Sequence, residues 1–388
     1  MVSLPTMVRF GAAVASVMVL CACGSSIALP VGTPAPSAQG ATSPAADLRT
    51  HVDVFFGEHA FAIAKLSVAA AAGRTDEFHS YAGVLAANGA DITTLMRSAL
   101  GETEGTRFGQ EWTAGNNFYV DYLVAAVTHD QPRATAALSN LTTTYVPQLA
   151  QLLKASLPLS TEQATQVAAD QVSTFQKLID DAVGATFTAL YPDLRAAYVK
   201  AVRGGDLVAI AIASRFADRF PGNATSKSAD FRGVIDTLLM EQAYLLTMES
   251  DATVAGAKEE LAAATEAVRT NTNAMTAVVG GIFGDAASVQ FGAVWDSESL
   301  LLTAYAKSGD AGVRQNVINT GAPPMGPGQS FEPDLTNELT TMLQAVDDQR
   351  GKSFDKLGND DRAAATQLAA AGDSVTATAV RQAPAKFV

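Results

Sequence analysis

Apolar residues recur at every third or fourth position along most of the chain after residue 47, which is the spacing of one face of an α-helix. Alanine is abundant in these stretches, and glycines such as Gly73 and Gly101 separate them. The first three apolar faces comprise Val52, Phe56, His59, Ile63 and Leu66; then Phe78, Tyr81, Leu85, Asn88, Ile92, Leu95 and Ala99; then Phe108, Trp112, Asn116, Tyr119 and Leu123. Successive amphipathic helices joined by short turns favour an antiparallel bundle, so we predict an all-α fold with no β-sheet.

The pattern occurs twice. The string Phe108-Gly109-x-x-Trp112 recurs 183 residues later as Phe291-Gly292-x-x-Trp295. Other pairs at this offset are Glu58 and Glu241, Asn88 and Asn271, Thr93 and Thr276, Gly101 and Gly284, and Tyr122 and Tyr305. Further on, the offset falls to 167 and pairs Asp180-Asp181 with Asp347-Asp348, Arg195 with Arg362, and Gly205-Asp206 with Gly372-Asp373. We therefore predict two tandem, four-helix-bundle-like repeats at residues 47–223 and 224–388.

The fall in offset marks a difference between the repeats. Residues 131–157 of the first repeat predict a helix, whereas the matching stretch contains Gly321-Ala-Pro-Pro-Met-Gly-Pro-Gly328. Proline removes an amide donor and clashes with the preceding turn, so a helix cannot continue through this stretch. We predict that the second repeat has lost much of its fourth helix and has a Pro/Gly loop at 321–333.

The N-terminal segment, residues 1–22, has the layout of a secretory signal peptide. A leader with one positive charge, Arg9, precedes an apolar core at 11–20 that is too short to span a bilayer. Leu20, Ala22 and Cys23 resemble the lipobox of bacterial lipoproteins. This resemblance implies cleavage after Ala22 and diacylation of Cys23. The alternative is an ordinary signal peptide with two incidental cysteines.

The composition indicates where the protein is located and which partners it can bind. Residues 23–46 contain four prolines among small and polar residues, so we predict a disordered linker. The two cysteines, Cys21 and Cys23, both lie in the signal region, so the mature body is expected to have no disulfide. A formal net charge of −13 disfavours nucleic acid and anionic lipid headgroups as partners. We expect an extracytoplasmic protein, anchored in the cell membrane through acyl chains on Cys23.

Several polar residues interrupt the apolar faces. They are His59, Asn88, Asn116 and Gln171 in the first repeat, and Gln242, Asn271, Ser299 and Glu338 in the second. If these side chains converge inside each bundle, they must hydrogen-bond to one another, to water or to a ligand. They are therefore candidate residues of a small-ligand or metal site. The alternative is a hydrogen-bond network that fixes the helix register.

The histidines argue against a metal site. All four, namely His51, His59, His79 and His129, lie in the first repeat. His51 and His59 are eight residues apart, about 12 Å along a helix, which is too far for them to share a metal ion. The amide and hydroxyl side chains of the second repeat are poor ligands for zinc or copper. We predict no metal and no cofactor.

Other chemical candidates have structural alternatives. Asp180 and Asp181 could form an acid–base pair, but consecutive helical residues diverge by about 100°, so a solvated helix face is favoured. Trp112 and Trp295 could stack on sugars, but their positions on the apolar faces favour the core. The sequence contains no nucleophile elbow, P-loop, dinucleotide fingerprint or zinc-protease motif. We predict no catalytic residue.

Several strings resemble a group of secreted bacterial helical proteins. They are Asn88-x-x-Asp91-Ile92, Arg107-Phe108-x-x-x-Trp112, Phe118-Tyr-Val-Asp-Tyr122 and Arg219-Phe220-Pro221. The resemblance covers most of residues 50–223 and, more weakly, 230–388. Some members of this group carry the automatic label "copper amine oxidase-like". The resemblance implies an exported helical fold, and its members tend to have histidines near the positions of His59, Asn116 and Gln171.

These observations lead to two hypotheses of different classes. The first is a non-enzymatic, membrane-tethered lipoprotein that binds a protein partner in the cell envelope or scaffolds an assembly there. The alternative is a binding protein for a small ligand or a metal ion, using the polar cluster of the first repeat.

Overall fold

The computed structural model describes residues 40–320 and 332–388, with side chains of the second stretch described from Leu335 onward. The described residues belong to one compact unit. The helices are α1 (Pro44–Ala71), α2 (Thr75–Leu100), α3 (Glu102–Val127), α4 (Gln131–Asn140), α5 (Val146–Ser156), α6 (Thr161–Val183), α7 (Phe187–Arg215), α8 (Lys227–Ala255), α9 (Lys258–Phe283), α10 (Asp285–Ser308), α11 (Ala311–Asn319), α12 (Glu332–Gly351) and α13 (Phe354–Gln382). A π-helical segment, Leu141–Tyr145, joins α4 to α5, and a 3-10 turn, Pro384–Lys386, follows α13. No strand occurs in these two stretches, and the predicted all-α fold is confirmed.

Helix boundaries follow local capping chemistry. The Ala46 amide donates to the Ser43 hydroxyl at 3.3 Å, and Pro44 occupies the first turn of α1. Gly101 and Gly284 have φ angles of 99° and 88°, a region that favours glycine. These two matched glycines turn the chain from α2 into α3 and from α9 into α10.

The packed body begins before the predicted end of the linker at Ala46. Ala41 and Ala45 are buried. The Ala45 amide donates to the Pro221 carbonyl at 3.3 Å, and Arg232 Nη1 donates to the Ala41 carbonyl at 2.8 Å. The prediction of disorder is therefore wrong for the end of the linker, because its small residues fit against Pro221 and Arg232. The rest of the linker and the leader lie outside the described residues.

The last helix of each half reaches across to the other half. Helices α1 and α8 pack against each other. Helix α7 packs on α1 and also on α9, whereas α13 packs on α8 and also on α2. The contacts therefore follow a pseudo-twofold relation, and buried residues of both halves form one continuous core. Whether residues 47–223 and 224–388 can each fold separately stays a prediction.

Ion pairs repeat this pseudo-twofold relation. In each half, an arginine on the first helix contacts an aspartate on the last helix of its own half and an aspartate near the start of the other half's first helix. The two sets are Arg49 with Asp206 and Asp230, and Arg232 with Asp373 and Asp47. Each arginine therefore ties its own half to the other.

Helix α1 lies in the core. Among the described helices it alone is long and apolar enough, by length and composition, to cross a membrane, but 78% of its apolar stretch is buried inside the body. It also carries Asp53, Glu58 and Lys65, all of which are buried. Its apolar character is therefore explained by packing.

The two halves differ at the fourth helix. In the first half, α4, the π-helical segment and α5 run without a break from Gln131 to Ser156. In the second half, α11 has nine residues, which agrees with the predicted loss of much of this helix. The Pro/Gly loop predicted at 321–333 lies outside the described residues as far as Phe331, and α12 begins at Glu332.

Candidate functional site

His59 lies inside an aromatic cluster of the first half and is fully buried. Its ring centroid is 4.6 Å from that of Trp112 and 4.8 Å from that of Phe175. Its Nε2 atom is 2.8 Å from Asn116 Oδ1. Burial lowers the pKa of His59 to about 3, although the hydrogen bond with Asn116 opposes this effect, so the imidazole is neutral. A neutral, sealed imidazole is in no position to exchange protons with a substrate in solvent.

Gln171 lies on the other side of the same aromatic cluster. The Tyr145 hydroxyl donates to Gln171 Oε1 at 3.1 Å, and the Tyr145 ring is 6.4 Å from that of Tyr119. Four fully buried polar atoms here have no hydrogen-bond partner among the described residues: His59 Nδ1, Trp112 Nε1, Tyr119 OH and Gln171 Nε2. Most of these atoms are donors, which suits a buried water molecule better than a metal cation.

Asn88 belongs to the seam between the halves. Its Nδ2 donates to Glu58 Oε2 at 2.8 Å and to the Phe55 carbonyl at 2.9 Å. Glu58 also accepts from Arg362 Nε at 2.7 Å and from the Tyr244 hydroxyl at 3.1 Å. The predicted candidate Asn88 thus donates to Glu58, which joins α1 to α8 and α13, and neither of its two hydrogen bonds is with His59 or Asn116.

The second half has a matching contact between the two halves, in which a different set of side chains surrounds the arginine and the glutamate. Arg195 Nη1 donates to Glu241 Oε1 at 2.8 Å and to Asn271 Oδ1 at 3.2 Å. Asn271 Nδ2 donates to Gln242 Oε1 at 2.9 Å, and Gln242 Nε2 donates to Thr272 Oγ1 at 3.2 Å. Asn271 and Gln242 are therefore engaged in a hydrogen-bond network, as expected if these residues fix the helix register rather than bind a ligand.

Three of the buried glutamates of the second half, Glu249, Glu298 and Glu338, lie on α8, α10 and α12. Glu249 accepts from the hydroxyls of Ser299 at 2.8 Å and Thr265 at 2.6 Å. Burial raises the pKa of Glu298 to about 8. Burial, and then the charge of Glu298, raises the pKa of Glu338 well above its ordinary value. In the part of the chain that the structure describes, neither carboxyl oxygen of Glu338 has a hydrogen-bond partner. Sequence reasoning noted Glu338 and missed Glu249 and Glu298.

A lysine-centred cluster lies where α1, α2, α8 and α13 meet. Lys65 Nζ is 2.6 Å from Asp361 Oδ2, 3.0 Å from Asp251 Oδ2 and 2.9 Å from Thr247 Oγ1. The Tyr81 hydroxyl donates to the same two carboxylates at 2.9 and 3.1 Å. Burial lowers the pKa of Lys65, but the two aspartates outweigh this effect and raise it, so the ammonium stays charged. The cluster joins both halves, and its residues were not among those predicted from the sequence as site candidates.

The other residues considered for chemistry, namely Asp180 and the two tryptophans, make structural contacts in this fold. The Tyr122 hydroxyl donates to Asp180 at 2.7 Å, and Tyr305 donates to Asp347 at the matched position. Trp112 and Trp295 are both fully buried, so their prediction as core anchors is confirmed.

Within the two described stretches, no three His, Cys, Asp or Glu side chains are grouped so that they could hold a metal ion. Comparison of the chain with protein-family models, curated proteins and solved structures gives no match.

Replacing Glu298 with glutamine is expected to stabilise the protein in a pH-dependent way. Because the pKa of this buried carboxyl is raised from near 4.5 to about 8, its folded form binds more protons than the unfolded chain between these values. The stability that this extra bound proton gives the folded protein is therefore fully present below pH 4.5 and is lost as the pH rises through 8. The free energy of unfolding of Glu298→Gln should match wild type near pH 5 and exceed it by roughly 2–4 kcal/mol near pH 9.

Urea unfolding at pH 5, 7 and 9 measures this difference. Glu266→Gln is the matched control, because Glu266 is an exposed acid on α9 whose side chain is 60% accessible. This control should show no such pH dependence. A constant difference between Glu298→Gln and wild type at all three pH values would contradict the burial of this acid.

Proposed function

We propose that the chain is an extracytoplasmic lipoprotein, attached to the cell membrane through acyl chains on Cys23, and that its helical body is a non-enzymatic binding or scaffold module of the cell envelope. The sequence Leu20-Cys21-Ala22-Cys23 at the end of a short apolar run carries the proposal, because it resembles a lipobox. Two acyl chains are enough for stable membrane attachment.

The body supports this proposal through the role of α1. This helix, the membrane-span candidate among the described residues, is used for the core. Stable attachment to a membrane would then need an anchor outside the described body, and an acylated Cys23 supplies one.

The buried polar residues of the first half favour a binding or scaffold role over a chemical reaction at the His59 cluster. His59 and Asn116 are bonded to each other, and His59 is sealed beneath Trp112 and Phe175. Reciprocal ion pairs tie the halves into one body that presents its outer helix faces to solvent. A small-ligand or metal site at the His59 cluster remains the second candidate, favoured by its unpartnered polar atoms, but their donor chemistry suits water better.

Replacing Cys23 with serine is expected to release the protein from the membrane fraction, because serine has no thiol to acylate. The measurement is fractionation of a bacterial host expressing the full chain, followed by a carbonate wash. Cys21→Ser is the matched control, since it removes the neighbouring thiol and should leave the protein in the membrane.

Retention of Cys23→Ser in the washed membranes would contradict the acyl anchor. The same detergent extracts test the scaffold role, because wild type should co-purify reproducibly with a protein of the membrane fraction. If no protein exceeds the background in repeated purifications, the scaffold role is contradicted, whatever the result for the anchor.

A further inference from the structure

An open cavity of about 400 Å³ lies where α7 packs on α8 and α9. Two charged side chains line it, Arg195 and Glu241, which are 29% and 2% exposed. Most of its wall is apolar and is formed by Phe187, Tyr191 and Pro192 of α7, Leu245 of α8, and Ala263 and Ala267 of α9. Apolar walls around a few polar groups are typical of a small-ligand site.

The duplication explains why this cavity reaches an arginine. A cavity of about 500 Å³ also lies at the matched contact of α13 with α2, but Arg362 is not among the described residues that line it. There, a side-chain carbon added at Gly358 would lie 2.8 Å from Val84 Cγ2, so the two helices are in close contact. The residues matched to Gly358 and Val84 are Tyr191 and Ala267, and both of these line the cavity between α7 and α9.

The two matched arginines also differ in their acidic partners. Glu58 accepts from Nε and Nη2 of Arg362 at 2.7 and 2.9 Å, and Nη2 lies 2.8 Å from Asp91 Oδ2. One guanidinium group therefore holds two carboxylates in this fold. In the other half, the position matched to Asp91 is Ala274. Arg195 therefore lacks the second carboxylate that its counterpart has.

Arg195 has donors left over as a result. Among the described residues it makes hydrogen bonds only through Nη1, to Glu241 Oε1 at 2.8 Å and to Asn271 Oδ1 at 3.2 Å. Its Nε and Nη2 atoms remain. Adjacent N–H groups of a planar guanidinium match the two oxygens of a carboxylate, and such paired, charge-assisted hydrogen bonds are strong.

The other charges at the cavity limit the charge of the ligand. Two exposed acids, Glu259 and Glu266, also line the opening. Together with Glu241 they disfavour a phosphate or a dicarboxylate, whose second negative charge no further cation of the lining would balance. A monocarboxylate adds the single charge that Asp91 supplies to the other arginine. The apolar walls favour a hydrocarbon body on this ligand.

We propose that the cavity between α7 and α9 binds a small organic monocarboxylate, which pairs with Nε and Nη2 of Arg195 and packs its apolar body on the walls. Neither His59 nor Asn116 is among the described residues that line this cavity. The test needs no membrane fraction, so this proposal and the proposed lipoprotein function can fail independently.

The probe is 3-phenylpropionate, which joins one carboxylate to an aromatic body. Calorimetric titration of the purified full chain should show saturable binding of one molecule per chain. The matched neutral compound, 3-phenyl-1-propanol, should bind about tenfold more weakly or worse, because it cannot form the charge-assisted pair with Arg195. Absence of saturable binding, or equal binding of the alcohol, would overturn the proposal.

Ala274→Asp is the decisive variant, because it supplies within the chain the carboxylate that the ligand is proposed to bring. It removes no existing contact of Arg195, and it should abolish binding of 3-phenylpropionate. Asp91→Ala is the matched control, since it changes the equivalent position beside Arg362 and should leave binding at Arg195 unchanged. Unchanged binding by a folded Ala274→Asp protein, or equal losses in both variants, would overturn the proposal.

A second variant tests the apolar part of the site. Ala267→Leu places a larger side chain in the wall of the cavity and leaves Arg195 and Glu241 in place. It should weaken binding of 3-phenylpropionate by about tenfold or more, because the body of the ligand and the added side chain compete for the same space. Unfolding curves of the variant confirm that it is folded. Unchanged affinity in the folded variant would place any binding outside this cavity and would overturn the proposal.

Discussion

Replacing Lys65 with methionine is expected to lower the free energy of unfolding by about 3–5 kcal/mol. Lys65 is 3% exposed and lies within 3.0 Å of carboxylate oxygens of both Asp251 and Asp361. Removing the ammonium leaves two acids buried without their cation. These unpaired acids destabilise the contact between the two halves. Urea unfolding near pH 7, followed by circular dichroism, measures the loss.

The duplication itself provides the control for this variant. The positions matched to Lys65, Asp251 and Asp361 are occupied by apolar residues, namely Met248, Val68 and Leu194. A quadruple variant with Lys65→Met, Asp251→Val, Asp361→Leu and Tyr81→Phe removes the ammonium, both carboxylates and the phenol hydroxyl of this cluster. Replacing a buried ion pair by apolar residues is often neutral or stabilising, so this variant should be within about 1 kcal/mol of wild type or above it. Equal losses in the single and quadruple variants would show that the cost of Lys65→Met comes from lost packing.

Replacing Trp112 with alanine is expected to destabilise the protein by about 3–5 kcal/mol. Trp112 is fully buried, and its ring centroid lies 5.1 Å from Phe56 and 5.5 Å from Phe108. It also covers His59, at 4.6 Å. The loss should therefore combine a large cavity with partial exposure of a polar imidazole. Thermal and urea unfolding of the full chain measure this loss.

Trp112→Phe is the matched control, because it keeps an aromatic ring and removes an indole N–H that has no partner among the residues the structure describes. Its loss should be less than half that of the alanine variant. A change below about 1 kcal/mol for Trp112→Ala would contradict the role of this ring as a core anchor.

The helices could be predicted from the sequence because their apolar faces are regular and occur twice. The faces of Phe56 and Trp112 point inward as predicted, and the shortened fourth helix followed from a run of prolines. The crossing of α7 and α13 to the opposite halves could not be predicted, since periodicity shows which face is buried and not which helix covers it. The paired repeats of Glu58 with Glu241 and Arg195 with Arg362 were the available signal for this contact.

The candidate site could be predicted only in part. The contact of His59 with Asn116 follows from their shared positions on inward faces. Glu298 escaped detection because its match in the first half is Gly115, so the repeat gave no sign of a conserved polar position. An acid one turn after Trp295 on an apolar face was the remaining signal, and its burial depends on tertiary packing that a single sequence does not specify.

The central claim is that both halves form one cooperative body, joined through α7 and α13. Scanning calorimetry of wild type, Trp112→Ala and Trp295→Ala, all as full chains, tests it most directly. We predict a single transition whose calorimetric and van't Hoff enthalpies agree, and each tryptophan variant should shift that whole transition downward. Two separable transitions, with each variant moving only the one that belongs to its own half, would contradict the claim.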